Sequence, residues 1–223
     1  MGAYGGPNIV QNGLTAVFDA GSERSYPGSG TTWFNLSKSG NGTLSGASMG
    51  TTATGTITFD GVDDYVVVNP ASDFFTNAWT YEMFVKFSNN SGTHQGLIWA
   101  EGGGNQYLFT IYNYSYFHYR IQNSSTGWNN TNVNINFTPT EYNHIVWQFN
   151  NGTSKIYVNG QLLNTDTSRG AYSGLTNQPL YIGCRNDLLY EFNGDMPVFN
   201  FYNRELTAAE ILQNYNAQKN RFI

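Results

Sequence analysis

The sequence predicts an all-β sandwich of two antiparallel sheets, closed by one short C-terminal helix. Three observations carry that reading. About a dozen short runs alternate apolar and polar residues, with turn residues between them, as in a sandwich or barrel. Asp60-Gly61, Asn151-Gly152 and Asn159-Gly160 separate β-branched and aromatic runs, which is strong short-range turn chemistry. The period changes from two to helical only near the end, at Thr207 to Tyr215.

Residues 1–12, rich in Gly, Pro and Asn, read as an arm before a single domain spanning 13–223. No composition shift or linker divides the rest. The first strand is 14–18, with Leu14, Ala16 and Phe18 on one face. Residues 26–30 form a Tyr-Pro-Gly loop, after which Trp33, Phe34 and Leu36 return to the core. Residues 41–46 give a turn and a short edge segment. Segments 56–59 and 65–68 read as a hairpin-like pair across 60–64. Along 79–87, Trp79, Tyr81, Met83, Val85 and Phe87 share a face, while Glu82 and Lys86 lie on the other. Strand 96–100 follows, then a glycine turn at 102–104. Two strands flank Asn113-Tyr114-Ser115 within 107–122. Val133, Ile135 and Phe137 point inward from 132–137. Strand 144–149 pairs with 154–158, and 180–184 is the penultimate strand.

At the end, Asn193-Gly194-Asp195 reads as a turn and 196–202 as a strand. Met196, Val198, Asn200 and Tyr202 would face one way, Phe199 and Phe201 the other. Thr207-Ala208-Ala209-Glu210 is a capping box, and Leu206 with Ile211 has the spacing of a hydrophobic staple. Helix 207–219 would pack through Ala208, Ile211, Leu212 and Tyr215.

Composition narrows the function. Charged residues are 11% of the chain, against about 25% in an average domain. Asn, Ser, Thr, Gly and Gln must therefore supply the polar surface. With 10 basic and 15 acidic residues, net charge −5 and no basic run, nucleic-acid binding lacks its main energetic term. The N-terminal stretch shows neither a secretory leader nor a membrane span, so the Asn-x-Ser/Thr sequons are expected to stay unmodified. Cys184 is the lone cysteine and reads as a small buried apolar side chain.

Three signatures occur in order: ITFDGVDDYV at 57–66; His144-Ile145-Val146 with KIYVNGQ at 155–161; and Leu180-Tyr181-Ile182-Gly183 with Phe192-Asn193-Gly194 and YNRELT at 202–207. Together they resemble the laminin-G-like, concanavalin A-like lectin/glucanase jelly-roll family. The resemblance implies one concave and one convex sheet. The opening stretches 13–21 and 25–33 and the ending 211–217 are similar to a subset found in structural proteins of tailed phages, notably those of marine cyanobacteria. Members of the family often carry an acidic pair in the last strand that supports a structural calcium; here Pro197-Val198 stands in that place.

Catalysis on this fold needs paired carboxylates on one strand face. Glu82 has only Phe84 and Lys86 beyond it, and His94, His118 and His144 are scattered without metal-ligand spacing. No enzyme activity is therefore expected. Asp60, Asp63 and Asp64 are candidate oxygen ligands for Ca2+, or else a turn bonding its own backbone; no other cofactor is expected. Tyr112, Tyr114, Tyr116, His118 and Arg120, with Trp128 in the next loop, are candidates for stacking on sugar rings or meeting a partner protein, or else ordinary cross-strand aromatic pairs. The expected role is a non-catalytic structural protein on the exposed surface of a virus particle. It would be made in the host cytoplasm, assembled as a homo-oligomer or through capsid or tail contacts, and able to touch host-surface glycan without nucleic-acid binding or membrane insertion. The alternatives are a free carbohydrate-binding module and, behind it, a polysaccharide hydrolase or lyase.

Overall fold

A computed structural model describes residues 8–37, 40–50, 55–69, 77–88, 93–102, 105–122, 129–169 and 178–222. The strands in chain order are β1 (Leu14–Asp19), β2 (Thr32–Trp33), β3 (Gly42–Ser45), β4 (Ser48–Met49), β5 (Ile57–Asp60), β6 (Tyr65–Val68), β7 (Ala78–Phe87) and β8 (His94–Gly102). They continue with β9 (Asn105–Tyr112), β10 (Tyr116–Gln122), β11 (Asn130–Asn134), β12 (Asn143–Asn150), β13 (Thr153–Val158), β14 (Gln161–Asp166), β15 (Leu180–Ile182) and β16 (Asn193–Tyr202). Helix α1 spans Ala208–Gln218.

Among the described residues these form two eight-stranded antiparallel sheets. The back sheet runs β14-β13-β12-β7-β16-β5-β4, with β1 also on β16; the front sheet runs β11-β10-β9-β8-β15-β6-β3-β2. Inward residues of both sheets meet in one aromatic core. Trp147 joins the layers: its ring lies 4.7 Å from Trp79 of the back sheet and 5.1 Å from Phe109 of the front sheet. Its Nε1 donates to Ser154 Oγ at 3.0 Å, so the indole is buried without losing its hydrogen bond.

The long strand, the hairpins around 113–115, 151–152 and 159–160, and the buried Cys184 match the sequence reading. Several details differ. Segments 57–60 and 65–68 are not a hairpin: β5 pairs with β16 and β4 in the back sheet, and β6 with β15 and β3 in the front. Residues 60–64 turn the corner between layers, so Phe59 and Val66 enter one core from opposite sides. Asn193-Gly194-Asp195 belongs to β16, opposite Asp60, Phe59 and Thr58. Gly194 is needed for close approach: a Cβ there would lie 2.1 Å from the Lys86 carbonyl.

The register of β16 against β7 shifts between Asp195 and Val198. Pro197 cannot donate to a ladder and sits at this irregularity, while its carbonyl accepts from Ala20 N at 2.9 Å. The shift reverses the faces, so Met196 joins Phe199 and Phe201 in the main core, and Tyr202 packs beneath the helix. A similar shift in β1 separates Leu14, under the helix, from Ala16 and Phe18. Phe34 is 41% exposed, because a two-residue strand ends at Trp33.

The helix has the predicted capping box and buries both staple residues, Leu206 and Ile211. Its buried face differs from the expected stripe. Ile211, Asn214 and Gln218 are buried, and Leu212 is 40% exposed. Asn214 wins that position through hydrogen bonds. It donates to Glu82 Oε2 at 2.7 Å and accepts from Val10 N at 2.8 Å. Thr207→Ala should cost about 1 kcal/mol, read as a fall of roughly 2–4 °C in thermal melting. No change on melting would show that packing alone holds the helix start.

Candidate functional site

The front sheet turns a polar, aromatic face away from the core. Tyr107, Phe109 and Ile111 of β9 and Phe117, Tyr119 and Ile121 of β10 point inward. Their neighbours Thr110, Tyr112, Tyr116, His118 and Arg120 must therefore point out. Pairing register then assembles them: Tyr116 lies opposite Tyr112, and His118 opposite both Thr110 and Asn132. The two tyrosine rings stack at 5.1 Å. Arg120 Nε donates to Asn130 Oδ1 at 2.7 Å and Nη1 to Gln106 Oε1 at 2.9 Å.

His94 of β8 enters this face beside Tyr112, at a ring separation of 4.7 Å, and lies 4.9 Å from the His118 ring. The 183–192 loop closes the edge. Gly96 N donates to Tyr190 O at 2.5 Å, and a Cβ on Gly96 would meet that carbonyl at 2.9 Å. Tyr190 packs 5.0 Å from His94. Arg185 lies over the Tyr190 ring at 4.8 Å and forks onto Asp187. The loop leaves Leu188 and Leu189 44% and 48% exposed.

Burial, then the neighbouring His118 and Arg120, lowers the His94 pKa to about 4. Burial also lowers His118, with Arg120 and Arg169 adding to it against the Asn132 hydrogen bond. Both imidazoles are therefore neutral at pH 7, each a donor on one nitrogen and an acceptor on the other.

Tyr112, Tyr116, His118 and Arg120 thus come together as the alternation predicts. Tyr114 does not join them. It sits in the left-handed turn at φ 51° and packs its ring edge-on against Phe87 at 6.0 Å. Trp128 lies outside the described residues. Sequence spacing missed His94, because the sheet, not the chain, places it beside His118. It also missed Tyr190, whose position depends on a loop held by Gly96.

The carboxylates of Asp60, Asp63 and Asp64 lie within 4.8 Å of one another. Two of them serve the turn itself. Asp60 Oδ1 accepts from Val62 N, and Asp64 Oδ2 from Asp60 N, both at 2.8 Å. Burial, opposed by that backbone bond and reinforced by its two acidic neighbours, raises the Asp64 pKa.

A family model described as the Concanavalin A-like lectin/glucanases superfamily matches residues 60–212. The chain belongs to that superfamily. Among solved structures, the receptor-binding domain of botulinum neurotoxin mosaic serotype C/D superposes with a TM-score of 0.74 at 14% identity, covering 92% of this chain and 51% of that one. The botulinum neurotoxin serotype G binding domain gives 0.69 at 12% identity, with coverages of 90% and 50%. Trypanosoma rangeli sialidase gives 0.68 at 17% identity, with coverages of 96% and 34%. The chain therefore spans about a third to a half of the solved chains it matches, and at these identities the likeness shows the fold. No curated protein matches.

The superfamily's glucanase chemistry and its calcium can be tested against these residues. Glu82, the acid on the long strand, is fully buried beneath α1, with its oxygens held by His144 Nε2 at 2.9 Å and Asn214 Nδ2 at 2.7 Å. It reaches no substrate. Where the family's acidic pair would stand, Pro197 has no side-chain oxygen and Val198 is buried. These residues do not fit the ion.

Proposed function

We propose that this chain is a non-catalytic glycan-binding domain that works through the outer face of its front sheet. The observation that carries this reading is the stacked Tyr112–Tyr116 pair set beside two neutral histidines and Arg120. Aromatic rings cover the C–H face of a sugar, while imidazole nitrogens, the guanidinium and the Asn130 and Asn132 amides bond its hydroxyls. Two of the similar structures are binding domains of botulinum neurotoxins, which supports a recognition role on this scaffold.

A glycan array probed with the intact chain should give discrete hits. Tyr112→Ala and Tyr116→Ala should each weaken them by roughly 10- to 100-fold, as expected for aromatic anchors. Silence across the array, or binding unchanged in both variants, would overturn the reading.

A virus particle is the setting we propose, with contacts to other copies or to capsid or tail proteins. The sparsely charged surface and the phage-like opening and closing segments support it. Mass spectrometry of purified particles should find the chain at stoichiometric abundance; its absence from them sinks this setting and leaves the glycan reading intact.

A further inference from the structure

We propose that His94 and His118 form a two-nitrogen site for a divalent transition-metal ion such as Zn2+ or Cu2+. Hydrogen bonding selects the tautomer of both rings. His118 Nδ1 lies 2.8 Å from Asn132 Oδ1, an atom that only accepts, so Nδ1 carries the proton. Thr110 Oγ1 uses its hydrogen on the His118 carbonyl at 3.3 Å, so it accepts from His94 Nδ1 at 3.0 Å. Each neutral ring therefore offers Nε2 as a lone pair. Metal-binding histidines are held in the same way, by a hydrogen bond from the other ring nitrogen. Neither Nε2 bonds to a described residue, and both rings are only partly buried.

The ring spacing fits one shared ion. With metal–nitrogen bonds of about 2.0–2.1 Å and an angle between square and tetrahedral, two imidazole centres stand roughly 4.5–5.2 Å apart. These stand 4.9 Å apart, inclined at 65°. Solvent supplies the remaining positions. Arg120 lies near and opposes any cation, although its guanidinium is directed to Gln106 and Asn130. That opposition favours ions that bind imidazole strongly over Ca2+ or Mg2+, whose partners are oxygens.

The inference needs no sugar, so a metal titration and the glycan array fail independently. The full chain in metal-free buffer is titrated with ZnCl2 by calorimetry and with CuCl2 by electron paramagnetic resonance. One ion per chain is expected, with two nitrogen couplings in the copper spectrum. His94→Gln and His118→Gln should each weaken binding at least about tenfold, and Arg120→Gln should tighten it. Asp63→Asn should change nothing, and loss of copper in that variant would assign the ion to the acidic turn and overturn the proposal. So would no binding to the wild-type chain, or equal binding in both histidine variants. Circular dichroism checks the fold of each. Should a histidine variant unfold, the wild-type copper spectrum decides: two imidazole couplings support the site and none overturns it.

Discussion

Glu82→Ala should lower the melting temperature by roughly 6–20 °C, from a loss of about 3–5 kcal/mol on breaking a buried, hydrogen-bonded charged group. The carboxylate is the hub beneath α1. One oxygen holds His144 and the other Asn214. Asn214 in turn donates to Tyr202 Oη at 2.9 Å, which donates to Val10 O at 3.1 Å. Removing Glu82 strands the buried polar groups of His144 on β12 and Asn214 on α1. Glu82→Gln keeps the volume and one acceptor oxygen and should cost much less. Thermal melting compares the two, and limited proteolysis near residues 8–12 should rise only in Glu82→Ala. Equal melting of wild type and Glu82→Ala would show that the network contributes little to stability.

Arg169→Met should be of similar size, about 3–5 kcal/mol. The guanidinium is fully buried, lies 4.7 Å over the Tyr119 ring and meets Asp166 Oδ2 at 2.8 Å. It also donates to the Asn129 carbonyl and Thr131 Oγ1. One side chain thus ties edge strand β14 of the back sheet to β10 and β11 of the front. Burial alone would raise the Asp166 pKa. Hydrogen bonds from Ser168 and Tyr119 and the Arg169 charge outweigh it and hold the carboxyl well below the usual range. A carboxyl depressed on folding stabilises above its unfolded pKa, and that contribution is lost as pH falls. Wild-type stability should therefore drop as pH falls below about 4, the ordinary aspartate value. The Arg169→Met curve, having lost part of that contribution already, should fall less steeply. Denaturant titration at pH 7 and pH 3 measures both slopes, and parallel curves would remove Asp166–Arg169 from the acid response.

Local chemistry made much of this legible in advance. The alternation of 79–87, the Asn-Gly turns and the Thr207–Glu210 box each depend on neighbours within a few residues, and each appears as read. What failed depends on distant partners. Segments 57–60 and 65–68 look like a hairpin until β16 and β15 claim them for different sheets. Met196 looks outward until Pro197 shifts the register. Leu212 looks buried until Asn214 finds Glu82 across the layer. The candidate site divides along the same line. Tyr116, His118 and Arg120 share a strand face by simple parity, whereas His94 reaches His118 only across β9.

The placement of β16 has a kinetic consequence. The last strand of the chain is the middle of the back sheet, bonded to β7 on one side and to β5 and β1 on the other. A growing polypeptide on the ribosome can form the hairpins β9–β10 and β12–β13, whose partners are adjacent, but the two halves of the back sheet have nothing to join them until β16 emerges. Joining of that layer must await β16, with long loops closed late, as in slow-folding high-contact-order proteins. Until then the edges of β5 and β7 are open to pairing with a neighbouring nascent copy.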